Sequence, residues 1–500
     1  MFNPMALPDL IEIVPLSTTV RAEITVPGSK SITNRALILA ALAEGEVTLQ
    51  GALWSEDTQI MVECLHTLGF DVKVAVDPAE FCNRTITVTG QGGRIPSGGT
   101  ASQPLELFVG NAGTAARFLA PFLCLGSGVY RLSGVPRMHE RPQSALFKAL
   151  RELGYRVDAE ANNDKLPARI YGEGPKPGKC TVSIAASSQF ASALLLSAGQ
   201  GGWQVAISGE NAEESPYVVM TSKLMEVFPK GGGIFEIEPD ASSGSYFWAA
   251  GIELVGSLET TRVESPDGGC GCATSISAWS ITVSNWPYRS GWQIDANFPK
   301  YLGLLAGVGS VFRIPLVIAD YEQSHATKCG TALGERIEEG HGNSLEKSGA
   351  KHGPTTVSRQ TNLGDSIMTL IALAPTSPHK IVFTDLGRLR VQECERVVAL
   401  KTELTECGAK VIEAGDTLTV YPSALHGAEI ETYNDHRMAM CFAILGLKVP
   451  GIKIKNPACV KKTFPNFFQK LAAPAPQGLG ATIRDGLTGR ELALEELFAE

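Results

Sequence analysis

Positive charge is in short supply: 43 Lys and Arg stand against 52 Asp and Glu, leaving a formal net charge of -9. Nonspecific nucleic-acid binding and adhesion to an acidic membrane surface both need a basic field, so neither function class fits. An anionic substrate must therefore be met by Arg and Lys concentrated locally. Long hydrophobic runs are lacking too. The stretch nearest to a membrane span, residues 301–319, is broken by Arg313 and Pro315, which favours a buried or loop segment. The start, MFNPMALPDLIEIVPL, has acidic residues and prolines where a secretory signal has a basic flank and an unbroken apolar run, so no export signal is expected. Cysteine builds no framework: eleven, an odd count, are scattered over the chain, which suits reduced thiols in a cytoplasm. No GxGxxG dinucleotide loop is found, and Ser29 rather than Gly precedes Lys30 in the one segment that approaches a Walker loop. Cys270, Cys272, His325 and Cys329 complete no four-ligand spacing, so no metal is expected.

What is present is enough apolar sequence, 44% of 500 residues, to exceed a single core, so two domains are expected. A pattern of amphipathic helix, Gly turn and short β-rich run recurs in SEDTQIMVECLHTLGFDVKV, RPQSALFKALRELGYRVDAE and QECERVVALKTELTECGAKVIEAGDTLTVYP. Leu146, Leu150 and Leu153 fall at helical spacing, and Gly69, Gly154 and Gly408 sit where a helix end needs a left-handed residue. These repeats imply a modular α/β architecture, with helices inside and sheets outside or the reverse. Residues 257–280 and 301–353 break the rhythm. They are either surface loops or translated non-coding sequence, two readings that the intact mass of the natural protein separates.

Several segments combine Gly, a hydroxyl and a base, the groups that phosphates and carboxylates need. PGSKSITNRA offers Ser29, Lys30, Ser31, Asn34 and Arg35 before a helical run. GNAGTAARF places Gly113 and Thr114 before another that carries Arg117, and PRMHERP brings Arg137 and Arg141 into a turn. SSQF supplies Ser187, Ser188 and Gln189. Asp365 in NLGDSIMT, Glu393 and Arg396 in LRVQECER, Asp435, His436 and Arg437 in YNDHRMAM, and Lys462 in KKTFP follow. Singly, each reads equally well as a helix cap or a salt-bridged surface. Jointly they fit a cleft closing on charged ligands.

PGSKSITNRA, GNAGTAARF, PRMHERP, SSQF, DASSGSYF, GDSIMT, YNDHRMAM and KKTFP, in this order, resemble the EPSP synthase family of enolpyruvyl transferases. The resemblance spans about residues 13–471, apart from the two irregular stretches. It implies two similar domains, each of three βαβαββ units with helices inside and sheets outside. One is continuous over 29–238; the other collects 1–28 and 239–472, with insertions at 257–280 and 301–353 and a tail at 473–500 that is a short helix or disordered. It also implies transfer of the enolpyruvyl group of phosphoenolpyruvate to the 5-hydroxyl of shikimate 3-phosphate, a step toward chorismate and aromatic amino acids, without metal or organic cofactor. The expected partners are those two small molecules, not nucleic acid or membrane, and a cytoplasmic monomer is expected.

Carried over residue by residue, the shikimate 3-phosphate site resembles Lys30, Ser31, Arg35, Ser187, Ser188, Gln189, Tyr217, Asp365 and Gln392. The phosphoenolpyruvate site resembles Lys30, Gly113, Thr114, Arg117, Arg141, Gln189, Arg396, Arg437 and Lys462. Asp365 resembles the base that takes the hydroxyl proton, and Glu393, with Lys30, the acid serving the methylene. That role implies a raised Glu393 pKa in a cation-poor setting. Two positions depart from the pattern. Gln392 stands where a Lys precedes the catalytic Glu, and Glu214 falls where a Ser is expected, with Ser215 one residue on. A weakened or rebuilt phosphate contact is the expectation. A catalytically silent or impaired relative, or the related UDP-N-acetylglucosamine enolpyruvyl transferase, is the competing reading.

Overall fold

The computed structural model describes residues 7–18, 20–209, 215–251, 260–264, 270–274, 281–306 and 355–499. Most of 257–280 and 301–353, with His325 and Cys329, therefore lies outside the described residues, as does Glu214. Within the first stretch only the antiparallel backbone pair Thr260–Glu264 and Cys270–Thr274 is described. Among the described residues no helix is long and apolar enough to cross a membrane, and no group of three or more His, Cys, Asp and Glu is placed to hold a metal ion.

A single strand pattern recurs in four sheets: a parallel pair extended on one side by two antiparallel strands. In the first, Gly233–Glu236 runs parallel to Glu46–Leu53, which pairs antiparallel with Asn83–Thr89 and that with Val72–Val76. The same order joins Leu105–Phe108, Ser127–Ser133, Ala168–Glu173 and Val157–Ala159. It joins Thr355–Ser358, Ile381–Thr384, Thr417–Val420 and Val411–Ala414 as well. The fourth sheet draws on both ends of the chain: Glu429–Ile430, Ile452–Lys455, Leu10–Ile13 and Ile483–Asp485. Two further parallel pairs, Gly178–Ser183 with Trp203–Ser208 and Ala22–Ile24 with Ile281–Val283, complete the set. The tail thus contributes an edge strand that was not expected, together with a short 3-10 helix, Leu494–Leu497, in line with one of the two expectations for it, and it buries Leu497 and Ala499.

The ambiguity over layers is resolved by burial. Helix Gly113–Cys124 is buried at every position, and Lys30–Leu42 from Ile32 onward, whereas strands such as Ala168–Glu173 bury alternate residues. A helix that is apolar all round belongs at the centre, and an alternating strand has one face in water. Helices therefore lie inside and sheets outside. The turns follow the expected chemistry: Gly69, Gly154 and Gly408 take φ of +88°, +83° and +87°.

Two hydrophobic clusters result, one from residues 32–237 and one from residues 7–26 and 241–499. Where the chain passes between them, the strands cross side by side: Ser29 N donates to Glu238 O and Asp240 N to Pro27 O, each at 2.8 Å. Gly28 is at the tightest point. Its N–H donates to Asn83 Oδ1 at 2.8 Å, and a Cβ there would stand 1.9 Å from the Gly51 carbonyl oxygen.

Candidate active site

The two clusters face each other across a cleft holding about 1330 Å³, open solvent included. Seven helices begin on its walls: Lys30–Leu42, Gly113–Cys124, Gln189–Gly201, Pro216–Val227, Ala241–Ala250, Arg396–Glu406 and His436–Gly446. Local sequence explains these starts. Asp240 caps one by accepting from Ser243 N at 2.7 Å, and Asp435 another by accepting from Arg437 N at 2.9 Å. Helices Lys30–Leu42 and Gly113–Cys124 begin without a side-chain cap, so their first-turn N–H groups remain open to an anion, whereas at the start of Gln189–Gly201 the Gln189 N–H donates to Ser187 Oγ at 3.2 Å. Eight cationic side chains line the cleft against five carboxylates, so the positive helix ends and the side chains act in the same direction. In a chain of net charge -9 this is the local concentration of bases that an anionic ligand requires.

Every residue given a substrate or catalytic role from the sequence lines this cleft except Lys462, whose Nζ lies 3.2 Å from Glu393 Oε1 on its wall; Asn34, Arg137 and Asp435, named in the same motifs, do not line it. On the first wall, Lys30 pairs with Asp57 at 3.2 Å. Arg35, 2% exposed, donates only to neutral acceptors: Thr221 Oγ1 at 2.8 Å, Ser31 O at 2.8 Å and Ser192 Oγ at 3.0 Å. Burial without a carboxylate lowers its pKa to about 10. Arg117 donates to Gln189 Oε1 at 2.8 Å and Arg141 to Asn111 O at 3.2 Å; the Nε of each is buried without a partner. Both guanidiniums cross directly over Gly113, where a Cβ would meet Arg141 Nη2 at 2.6 Å and Arg117 Nη1 at 2.7 Å. Burial, reinforced by its neighbour Arg141, pushes Arg117 well below its usual pKa. Two buried like charges without a counterion are costly, and a bound anion relieves that cost.

The opposite wall is organised by Arg396, 1% exposed. It bonds Asp435 at 2.6 Å and Glu393 at 2.8 Å, stands 3.8 Å from Asp365, and donates to the side-chain carbonyl of Gln392. Asp365 also contacts Arg359 at 2.6 Å and Arg437 at 3.2 Å. Burial alone would raise the Asp365 pKa, but Arg437, Arg359 and Arg396 outweigh it and hold the carboxyl well below its ordinary range. Glu393 behaves in the same way: burial is overcome by Lys462, Arg396 and Arg141, and its pKa is depressed. This corrects the expected raised pKa. The pocket around Glu393 is cation-rich, and those cations favour its ionised form.

Sequence reasoning missed several wall residues. Arg359, in a turn, and Arg388, in the 3-10 helix Leu386–Val391, flank the recognised motifs where no α-helix start marks them. Asp295, buried, accepts from Gly364 N at 2.7 Å, Ser366 N at 3.1 Å, Ser366 Oγ at 2.5 Å and Ser242 Oγ at 2.6 Å, and so fixes the turn that carries Asp365. His436 is buried with neither ring nitrogen bonded, and burial together with Lys30 lowers its pKa. It was noted in YNDHRMAM without a role. The signal for these residues was present as charged or polar letters beside the motifs.

Known proteins resemble this chain in sequence and fold. The family model for EPSP synthase (3-phosphoshikimate 1-carboxyvinyltransferase) matches residues 15–231 and 313–471. The 3-phosphoshikimate 1-carboxyvinyltransferase of Trichormus variabilis is 34% identical over 482 residues, 92% of this chain and 98% of its own. That of Opitutus terrae is 35% identical over 496 residues, 94% of this chain and 98% of its own. Among solved structures, EPSP synthase from Acinetobacter baumannii superposes with a TM-score of 0.62 at 20% identity, over 95% of this chain and all of that one. The enolpyruvyl transferase NikO from Streptomyces tendae gives 0.58 at 16%, over 96% and 99%.

Proposed function

The chain belongs to the EPSP synthase family, and we propose roles on that basis for the residues that line its cleft. The enzyme transfers the enolpyruvyl group of phosphoenolpyruvate to the 5-hydroxyl of shikimate 3-phosphate and releases phosphate, a shikimate-pathway reaction. The silent-relative and UDP-N-acetylglucosamine readings are not favoured, since the curated relatives quoted above share one name over nearly the whole chain.

In our reading Arg117, Arg141, Arg396, Arg437 and Lys462 hold phosphoenolpyruvate, with the open N–H groups at Gly113 and Thr114, while Arg35, Ser31, Ser187, Ser188, Gln189 and Tyr217 hold the shikimate ring and its anions. Planar guanidiniums suit this task because they meet carboxylate and phosphate bidentately. Asp365 takes the proton of the attacking hydroxyl as its oxygen bonds to the central carbon of phosphoenolpyruvate. Glu393, assisted by Lys30, delivers a proton to the methylene, which becomes a methyl group. The resulting tetrahedral intermediate expels phosphate while the methyl returns one proton, restoring the double bond. Glu393 needs a proton for this, and the two substrates supply the condition by drawing Lys462, Arg396 and Arg141 onto their own charges.

The observation that carries this reading is Arg396, which touches Glu393 and reaches toward Asp365, so acid and base share one cation at the substrate-facing surface. Residues 29–238 form one domain, and residues 1–28 with 239–472 and the tail the other, closing on substrate across the Gly28 and Pro239 crossing. Phosphate release from phosphoenolpyruvate in the presence of shikimate 3-phosphate tests the reaction, and a folded sample without turnover overturns it.

A further inference from the structure

Four of the guanidiniums facing the cleft have no carboxylate partner among the described residues: Arg35, Arg117, Arg141 and Arg388. The first three already have substrate groups to answer to. Arg388 does not. It lies on the turn Leu386–Val391 of the second wall and reaches across the cleft, where Nη2 donates to Ile184 O at 2.9 Å. Ile184 follows the strand Gly178–Ser183 and leads through Ala185 and Ala186 into Ser187 and Ser188, so the guanidinium is anchored to the segment that carries those two hydroxyls, which line the same cleft. Arg359, 7% exposed, lines the same region; its Nη2 is on Asp365, and its Nε is buried without any partner.

The same turn ends at Gln392, where the motif pattern has a lysine. The Gln392 side-chain carbonyl accepts from Arg396, so this position brings no positive charge to the cleft. Charge has been removed at one place on the turn and stands unpaired four residues earlier. The two guanidiniums repel each other: burial lowers the Arg388 pKa and Arg359 adds to the effect. An arrangement of this kind is costly when empty and favourable around a doubly charged anion.

We propose that Arg388 is the charged anchor for the phosphate of shikimate 3-phosphate, standing in for the lysine missing at position 392, with the free Nε of Arg359 and the Ser187 and Ser188 hydroxyls completing the site. The proposal rests on the functional reading above and adds to it the residue that discriminates the phosphorylated acceptor. It also decides between the two expectations for Gln392: the phosphate contact is rebuilt, not merely weakened.

Steady-state kinetics with shikimate 3-phosphate, with phosphoenolpyruvate, and with unphosphorylated shikimate as alternative acceptor tests this. Arg388→Ala should raise KM for shikimate 3-phosphate about 10- to 100-fold, the loss of one charged hydrogen bond, while KM for phosphoenolpyruvate stays within about threefold. Its kcat/KM for shikimate should remain near that of the unaltered enzyme. Arg388→Gln keeps an amide donor for Ile184 O and drops only the charge, so it should show the same split even if the alanine variant fails to fold. Adding Gln392→Lys to either variant should recover most of the loss. An unchanged KM for shikimate 3-phosphate in Arg388→Gln, or an equal rise for both substrates, overturns the assignment and leaves Arg388 as a structural tie. Absence of turnover in the unaltered enzyme is a separate result, which counts against the reaction itself.

Discussion

At the scale of single residues, Arg141 and Asp365 differ in what surrounds them within the same cleft. Arg141 touches no carboxylate and faces the cleft, which supports the proposed role on a ligand; Asp365 is contacted by three bases, which supports the proposed role on a proton. Arg141→Ala should raise KM for phosphoenolpyruvate at least tenfold with a smaller change in kcat. Asp365→Asn should lower kcat by about 10²- to 10⁴-fold with both KM values kept within a few-fold. Equal effects on both parameters in either variant contradict these roles. Glu393 makes a pH-dependent prediction. Its folded pKa is depressed below its unfolded value near 4.3, so it contributes stability above about pH 4 that is lost as pH falls through the folded value. Glu393→Gln should therefore cost about 3–5 kcal/mol in urea unfolding at pH 7, by leaving Lys462 and Arg396 without it, and progressively less below pH 4. A pH-independent difference speaks against that account. The identities of Arg396, Asp365 and Arg437 were legible because helix starts gather polar letters into compact motifs. The ionisation of Glu393 was not, since Lys462 stands 69 positions away and only folding brings it to 3.2 Å. Arg359 lies in a turn, and Arg388 and Asp295 in the 3-10 helices Leu386–Val391 and Ile294–Tyr301, where no long apolar period marks them, and their meaning arises only from what they face.

At the scale of elements, the helix and turn repeats were readable because an apolar period and a terminal Gly are local properties. Which layer lies inside was not readable, because the segments with the clearest periodicity, such as Ser144–Glu152, are those with one wet face, while buried helices such as Lys30–Leu42 and Ala241–Ala250 show little. The edge strand Ile483–Asp485 was missed for a related reason: three residues are too short for an alternating pattern, and its partner Leu10–Ile13 is at the other end of the chain. The crossing strands are where an element is most tightly specified. Gly28 has backbone, not a flexible side chain, in the space a Cβ would take, and the strands on either side are joined by two 2.8 Å hydrogen bonds. Gly28→Ala should destabilise the protein by roughly 3 kcal/mol or more in denaturant unfolding, since neither strand can withdraw without breaking those bonds. Gly113→Ala is the contrasting case. Its Cβ meets the far ends of Arg117 and Arg141, which can swing aside, so stability should change little while KM for phosphoenolpyruvate rises. Comparable stability losses in the two variants refute the distinction.

At the scale of the whole molecule, an acidic protein divides its charge unevenly, with cationic side chains in excess where its two cores meet. Cross-cleft hydrogen bonds, from Arg388 to Ile184 O, from Arg137 to Gln392 O at 3.4 Å and from Lys462 to Asn111 O at 3.4 Å, hold the walls together against that repulsion. A ligand that binds the folded cleft and not the unfolded chain stabilises by mass action, about 2.7 kcal/mol at a hundredfold excess over Kd. Because anions here also cancel repulsion between walls, a divalent phosphate should act at concentrations where chloride does nothing. Inorganic phosphate at about 10 mM should therefore raise the unfolding temperature by several degrees over sodium chloride of equal ionic strength. Phosphoenolpyruvate and shikimate 3-phosphate should each exceed phosphate, since each adds a carboxylate that reaches further guanidiniums. Arg141→Ala should reduce the phosphoenolpyruvate shift while leaving that of shikimate 3-phosphate, and Arg388→Gln should do the reverse. Identical shifts from phosphate and matched chloride would show that only general screening is at work and that the excess of positive charge is not a built site.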